Sequence, residues 1–170
     1  MKNVLSLAIV MLLSFTAYTQ SDAIESHFKD YQQNEHFKTV YISPKTFQMA
    51  YKATDSEDEK ELAAIVKDLK GLKIMSTAKD AVKVYTEAGK RLNIKPYETL
   101  VSMKDKDADV KFITKETNGA ISELILLLGR KDRFVMMSFT GRIDLNKIAK
   151  LSKKLDIEGA EYLDKIKGGK

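Results

Sequence analysis

The chain has no cysteine, two prolines, eight glycines and two histidines in 170 residues. Without cysteine there is no disulfide and no thiol nucleophile, so an exported chain of this composition must be held by its own packing. The histidines, His27 and His36, do not form a pair with metal-ligand spacing, and no H-E-x-x-H motif occurs. The glycines form neither a G-x-S-x-G elbow nor a phosphate-cradling loop. There is no internal repeat, no low-complexity tract and no linker.

What is present begins with a targeting pattern. Lys2 supplies a positive start, Val4 to Phe15 an apolar run, and Ala17 and Thr19 the small residues before a cut. The run falls short of the ~20 residues a spanning helix needs. We expect a signal peptide over residues 1–19, cleaved to leave Gln20 or Ser21 first; an uncleaved anchor is the other reading. No cysteine follows the run, so no lipid attachment is expected there. Residues 20–170 are then expected to form one α+β domain, with no transmembrane segment once the signal is removed. The formal charge of +5 becomes +4 without Lys2, a mild excess that fits a solvated surface. Outside the cytoplasm, nucleic acid is a poor partner for it.

The mature chain reads as an ordered series of elements. Asp22 to about Asn34 places Ile24, His27, Phe28 and Tyr31 on one helical face, with Asp22 and Glu25 in capping-box-like spacing. "FKTVYIS" is a β-branched, aromatic strand. Ser43 and Pro44 start a helix, with Ile42 and Phe47 as a staple across its beginning. "SEDEKELAAIVKDLKG" is an amphipathic helix through Leu62, Ile65, Val66 and Leu69, stopped by Gly71. "LKIMST" is a strand, and Ala81, Val84, Tyr85, Ala88 and Leu92 mark a helix closed before Pro96. A four-strand meander follows over about 97–104, 109–117, 120–128 and 133–140, with Asn118-Gly119 as a hairpin turn. Asp144 caps a further helix, with Ile143 and Ile148 as its staple, and a short last helix carries Tyr162, Leu163 and Ile166. The expected fold is α+β: a single mixed or mostly antiparallel sheet, with this C-terminal meander and about five helices.

In this order "HFKTVYIS", "LKGLKIMST", "YETLVSMKDKDADVKFITKE" and "GAISELILLLGRKDRFVMMSFTGRIDLNKIAKLSKKLDIEGAEYL" resemble the secreted Gram-negative proteins of domain-of-unknown-function family 4252. The resemblance spans nearly the whole mature chain and is most specific at the "ISEL" strand and the "G-x-I-D-L" turn. It implies export as one domain, and it brings no activity, cofactor or catalytic residue. Relatives with a lipoprotein cysteine differ from this chain, which has none.

Several residue groups can be weighed for chemistry. Asp105, Asp107, Asp109 and Glu116 stand at EF-hand spacing, but Val110 holds the position that requires glycine, and the flanks alternate as strands. A solvated turn explains them. Glu57, Asp58, Glu59 and Glu61 could attract a cation, but three of them sit where the dipole at a helix start favours carboxylates, which explains them without a ligand. His27 reads as a half-buried histidine beside Asp30, and His36 as a loop residue. Lys147, Lys150 and Lys154 make a basic face opposite Leu145, Ile148, Ala149 and Leu155, which reads as a core-packing helix rather than a membrane-surface one. Glu123 is the odd residue. Counting from Asn118-Gly119 pairs Val110 with Leu127, Phe112 with Ile125 and Thr114 with Glu123. The carboxylate then either lies at the sheet's end, in water or bonded to Thr114, or is partly buried with a raised pKa, as a general acid or base would be.

Leu124 to Leu128 and Phe134 to Met137 leave no polar face on the last hairpin. With Gly129 opposite Asp132, Leu126 meets Val135, Leu124 meets Met137 and Ile125 meets Met136. Both faces then need cover, which we expect from helices of the first half and from the helical pair between Asp144 and Ile166. A partner covering one face is the rival. The functional expectation is an exported envelope protein, periplasmic or extracellular and not a lipoprotein, with a non-enzymatic binding or structural role. The alternatives are a hydrolase using isolated carboxylates such as Glu123, or a weak calcium-dependent surface protein. No catalytic, cofactor-binding or metal residue is assigned. The partner would be another envelope protein or a second copy.

Overall fold

The computed structural model describes residues 22–46, 49, 57–154 and 162. Six strands form one antiparallel sheet: β1 (Lys38–Ile42), β2 (Leu69–Thr77), β3 (Tyr97–Lys104), β4 (Asp109–Thr117), β5 (Ala120–Gly129) and β6 (Phe134–Gly141), in the order β1-β2-β6-β5-β4-β3. The described helices are α1 (Ala23–His27), α2 (Lys29–Gln32), α3 (Glu57–Val66), α4 (Ala81–Arg91) and α5 (Leu145–Lys154). The meander is present as expected, and both early strands join it beside β6.

The central hairpin sets the layers. Leu124, Leu126 and Leu128 of β5 and Val135, Met137 and Phe139 of β6 face one side. There they meet Ile65 and Val66 of α3 and Ile148, Ala149 and Leu151 of α5. Ile125, Leu127, Phe134 and Met136 face the other, under Ile24 and Phe28 and under Ala81, Val84, Ala88 and Leu92. Cover on both faces is therefore internal. On the first side it comes from a first-half helix as well as from the C-terminal one. Tyr162 also packs there; Leu163 and Ile166 lie outside the described residues, as do Phe47 and the side chains of Leu62 and Leu155.

Several local readings need correction. The first helix breaks at Phe28, whose φ of −131° and ψ of 22° end α1 and open α2. Leu69 and Gly71 belong to β2, not to the helix before it. There the chain pairs with Gly141 and Thr140 of β6 through a bulge, and those ladder bonds outweigh the helical spacing of Leu69. Asn118 and Gly119 do turn with φ of 54° and 73°, as a two-residue hairpin requires. The pairing counted from that turn survives only next to it. Glu116 faces Ile121, but Lys115 faces Glu123, so β5 carries one extra residue. Ser122 is that residue, and its hydroxyl donates to the Lys115 carbonyl at 3.0 Å. Beyond the bulge Thr114 faces Leu124, Phe112 faces Leu126 and Val110 faces Leu128. The β5–β6 turn is longer than counted, with Gly129 opposite Phe134 and the Arg130 amide bonded to the Arg133 carbonyl. Leu126 therefore faces Met137 and Leu128 faces Val135. That shift is by two residues, which leaves every side chain on the same face.

The helix starts behave as read. Asp22 accepts from the Glu25 amide at 2.9 Å, Ser43 from Thr46 at 3.2 Å, and Asp144 from Asn146 and Lys147.

Removing everything after Gly141 strips Ile143, Ile148 and Leu151 from the sheet. Each is worth ~1.5–3 kcal/mol buried, so the sum rivals the whole stability of a domain this size, ~5–15 kcal/mol. The truncated chain is expected to aggregate or bind a hydrophobic dye; a soluble, cooperatively unfolding product would contradict internal cover. A Cβ at Gly129 would stand 2.5 Å from Tyr85 Cγ. Gly129→Ala should accordingly lower stability by about 1–3 kcal/mol in urea denaturation.

Candidate functional site

One end of the sheet carries polar residues across adjacent strands. Gly71, Thr140, Glu123, Lys115 and Tyr97 form one cross-strand row over β2, β6, β5, β4 and β3. Tyr41, Lys73 and Ser138 begin the next row, which continues into Ile125 and Ile113. Direct partners in an antiparallel ladder share a face, so these side chains stand together at the edge of the apolar floor beneath α1 and α4. The Ser122 bulge is what aims Glu123 into this row, a known use of an extra residue in a strand.

Glu123 is 2% exposed. Its Oε1 accepts from the Ala23 amide at 2.8 Å and from the Ser138 hydroxyl at 2.6 Å, and Oε2 accepts from the Tyr97 hydroxyl at 3.2 Å. The Ala23 amide is one of the donors that the start of a helix leaves without a partner, so Glu123 pins α1 to the middle of the sheet. Burial pushes the Glu123 carboxyl above its ordinary value of 4.5; the nearby Asp22 adds to this, while the Ser138, Ala23 and Tyr97 bonds oppose it. Burial also raises Tyr97, with the charge and hydrogen bond of Glu123 behind it.

Beside this carboxyl stands Lys73, with ion pairs to Asp22 at 2.7 Å and Glu25 at 2.6 Å and its ammonium 5.4 Å from the Tyr41 ring centroid. Burial works to lower the Lys73 pKa, but the bonds and charges of the two acids outweigh it, leaving it raised. Around these residues opens a cleft of about 660 Å³, lined among others by Asp68, Lys70, Lys115, Ser122, Thr140 and Arg142.

A second cluster fastens α2 to α4. Arg91 pairs with both oxygens of Asp30 at 2.9 and 3.0 Å and reaches the His27 carbonyl at 2.6 Å. Its guanidinium lies 4.6 Å from the Tyr31 ring centroid. Tyr31 donates to Glu87 at 2.6 Å, and burial followed by that bond pushes its hydroxyl up to about 12.

The other sequence candidates fall elsewhere. His27 meets the edge of Tyr97, ring centroids 5.7 Å apart, while His36 contacts Lys79 and Glu35 at the surface. Asp105 closes its own turn, accepting from the Asp107 and Ala108 amides. Asp109 and Glu116 sit toward opposite ends of β4, about 23 Å apart by strand rise, too far to share one ion. Among the described residues no cluster of three metal-ligating side chains occurs. The side chains of Glu57, Asp58, Glu59 and Glu61 lie outside the described residues. Lys147 of α5 pairs with Asp68 at 3.2 Å while Ile148, Ala149 and Leu151 go to the core, so that helix packs inward. Among the described residues no helix is long and apolar enough to cross a membrane.

Sequence reasoning singled out Glu123 but paired it with Thr114, and it missed Ser138, Tyr97, Lys73 and Asp22. Two signals were available. Ser138 interrupts the apolar run of β6, and Glu123 opens that of β5; the register counted with Gly129 opposite Asp132 already sets them face to face, and the observed one leaves them two positions apart on the same face.

The folded chain holds the Glu123 proton more tightly than the unfolded chain. The resulting stability is fully present below about pH 4.5 and is lost as pH rises through the raised folded-state pKa. Glu123→Gln keeps the shape and cannot ionise. It should unfold near wild type at about pH 4 and gain relative to it toward about pH 7 in urea titrations; a deficit that grows with pH would contradict the sign. Glu123→Ala leaves three buried donors unanswered and should lose about 3–5 kcal/mol.

No curated protein and no solved structure is significantly similar to the chain. A family model does match, over residues 31–151, which takes in Lys73, Tyr97, Lys115, Glu123 and Ser138 but not Asp22 or Ala23. The chain belongs to the DUF4252 family, a domain of unknown function.

Proposed function

We propose that this is an exported envelope protein that acts by binding, through the cleft beside Glu123, and not by turnover. The observation that carries this is the state of Glu123. Both of its oxygens are taken by internal donors, one of them the backbone of α1, and almost none of the residue reaches solvent. A general acid or base must come within about 3 Å of a substrate proton, and this carboxyl would have to break its own fold to do so. Ser138, the hydroxyl nearest to it, is 1% exposed. Pinning α1, and through Asp22 placing Lys73 at the cleft wall, is a role these contacts fill completely. Export rests on the signal-peptide pattern of residues 1–19.

The hydrolase reading keeps one point in its favour, a raised carboxyl at the floor of an open cleft. The calcium reading loses its geometry, because Asp105 is spent on its turn and Asp109 pairs with Lys104 at 3.5 Å.

Expressed with its native N-terminus in a Gram-negative host, the protein should be recovered outside the cytoplasm with a mass that starts at Gln20 or Ser21. Full-length chain confined to the cytoplasm would refute export. Across a panel of ester, glycoside, phosphate and peptide substrates the mature protein should show no turnover. Any turnover that disappears in Glu123→Gln, with the fold intact, would replace binding by catalysis.

A further inference from the structure

The acids and the cations of the cleft are not in the same state. Each acid is engaged. Asp22 and Glu25 hold Lys73, Asp68 holds Lys147, and Glu123 takes its three internal bonds. Lys70, Lys115 and Arg142 line the same space, and no carboxylate pairs with any of them among the described residues. The Lys115 ammonium lies 5.7 Å from the Tyr97 ring centroid, a contact that leaves its hydrogen-bond donors open.

The backbone brings these three cations together from separate places. Lys115 is the β4 partner of Glu123, whose other partner is Thr140. Arg142 follows β6 directly, and its amide donates to the Asp68 carbonyl at 2.9 Å, which holds it beside the start of β2 where Lys70 lies. Thr140 and Ser122 add hydroxyls to the wall.

We propose that the cleft binds an anionic group, a phosphate or carboxylate, between Lys115 on one side and Lys70 and Arg142 on the other. The inference rests on the binding role proposed above and names its ligand class. Lys73 and Lys147 offset two of the three charges of Asp22, Glu25 and Asp68, so Lys70, Lys115 and Arg142 leave the low-dielectric walls with a positive excess that an anion relieves. A phosphate or carboxylate can accept from ammonium, guanidinium and hydroxyl donors together, with Arg142 able to offer two parallel N–H bonds. A cationic ligand finds every acid occupied. This chemistry is carried both by soluble phosphates and by the headgroups of anionic lipids.

Calorimetry on the mature chain at low ionic strength separates the cases, using glycerol phosphate, citrate, spermidine and phosphatidylglycerol vesicles as probes. Saturable binding of glycerol phosphate or citrate is expected, weakened at least tenfold in Lys115→Gln/Arg142→Gln. It should be unchanged in Lys90→Gln/Lys131→Gln, which removes the same charge elsewhere. Vesicle binding that glycerol phosphate displaces assigns a lipid headgroup; soluble anions binding alone assign a free ligand. Both lysine and arginine positions are at the surface, and matching thermal unfolding of the variants keeps folding out of the result. The inference fails if no anion saturates the site, or if both charge variants lose affinity equally. Binding of spermidine in place of anions overturns the ligand class while leaving a binding role standing, whereas turnover lost in Glu123→Gln overturns that role itself.

Discussion

Leu124, Leu126 and Leu128 point to one side of the sheet and Ile125 and Leu127 to the other, and neither set can be left in water. Strands that alternate apolar and polar need one covering layer; β5 and β6 need two. The chain meets this by placing the hairpin in the centre and sending helices to both faces, three of them from before the meander and one from after it. The sheet edges fall to β1 and β3, whose residues are largely exposed. The order β1-β2-β6-β5-β4-β3 follows once β6 must be flanked on its open side, because β2 is the strand with buried residues on both faces available to do it.

Much of this could be read from the sequence because it is local. The Asn118-Gly119 turn, the caps at Asp22, Ser43 and Asp144, and the apolar spacing of Ala81, Val84, Ala88 and Leu92 are settled within a few residues. What could not be read is decided at long range. The Ser122 bulge moves the β4 pairing by one residue, so Phe112 joins Leu126 instead of Ile125 and every counted partner changes face. The error in the β5–β6 turn was larger in residues and smaller in effect, because a shift of two preserves parity. Leu69 shows the same competition at a helix end: its spacing suits α3, but the ladder to β6 claims it.

The site divides along the same line. Glu123 was conspicuous as a carboxylate on an apolar face, and its burial is what that position implied. Its partners come from three separate elements, and only folding shows that one of them is a backbone amide. The engagement of each lining acid by an internal partner, a lysine for three of them and neutral donors for Glu123, is likewise invisible in composition, where the charges sum to a small positive excess. A near-balanced chain can still carry a cleft whose field has one sign, because what matters locally is which charges are already answered.

The bond between Ala23 and Glu123 joins residues 100 positions apart. Synthesis delivers α1 first, yet the surface it sits on exists only after β5 and β6 have paired. Closing so long a loop is entropically expensive, and five helical residues cannot hold themselves together while they wait. The first part of the fold to be made is thus among the last to be placed. Until it arrives, Glu123 stands in water with its charge, and the arrival of α1 is the moment at which the sheet's one buried carboxyl is sealed from solvent.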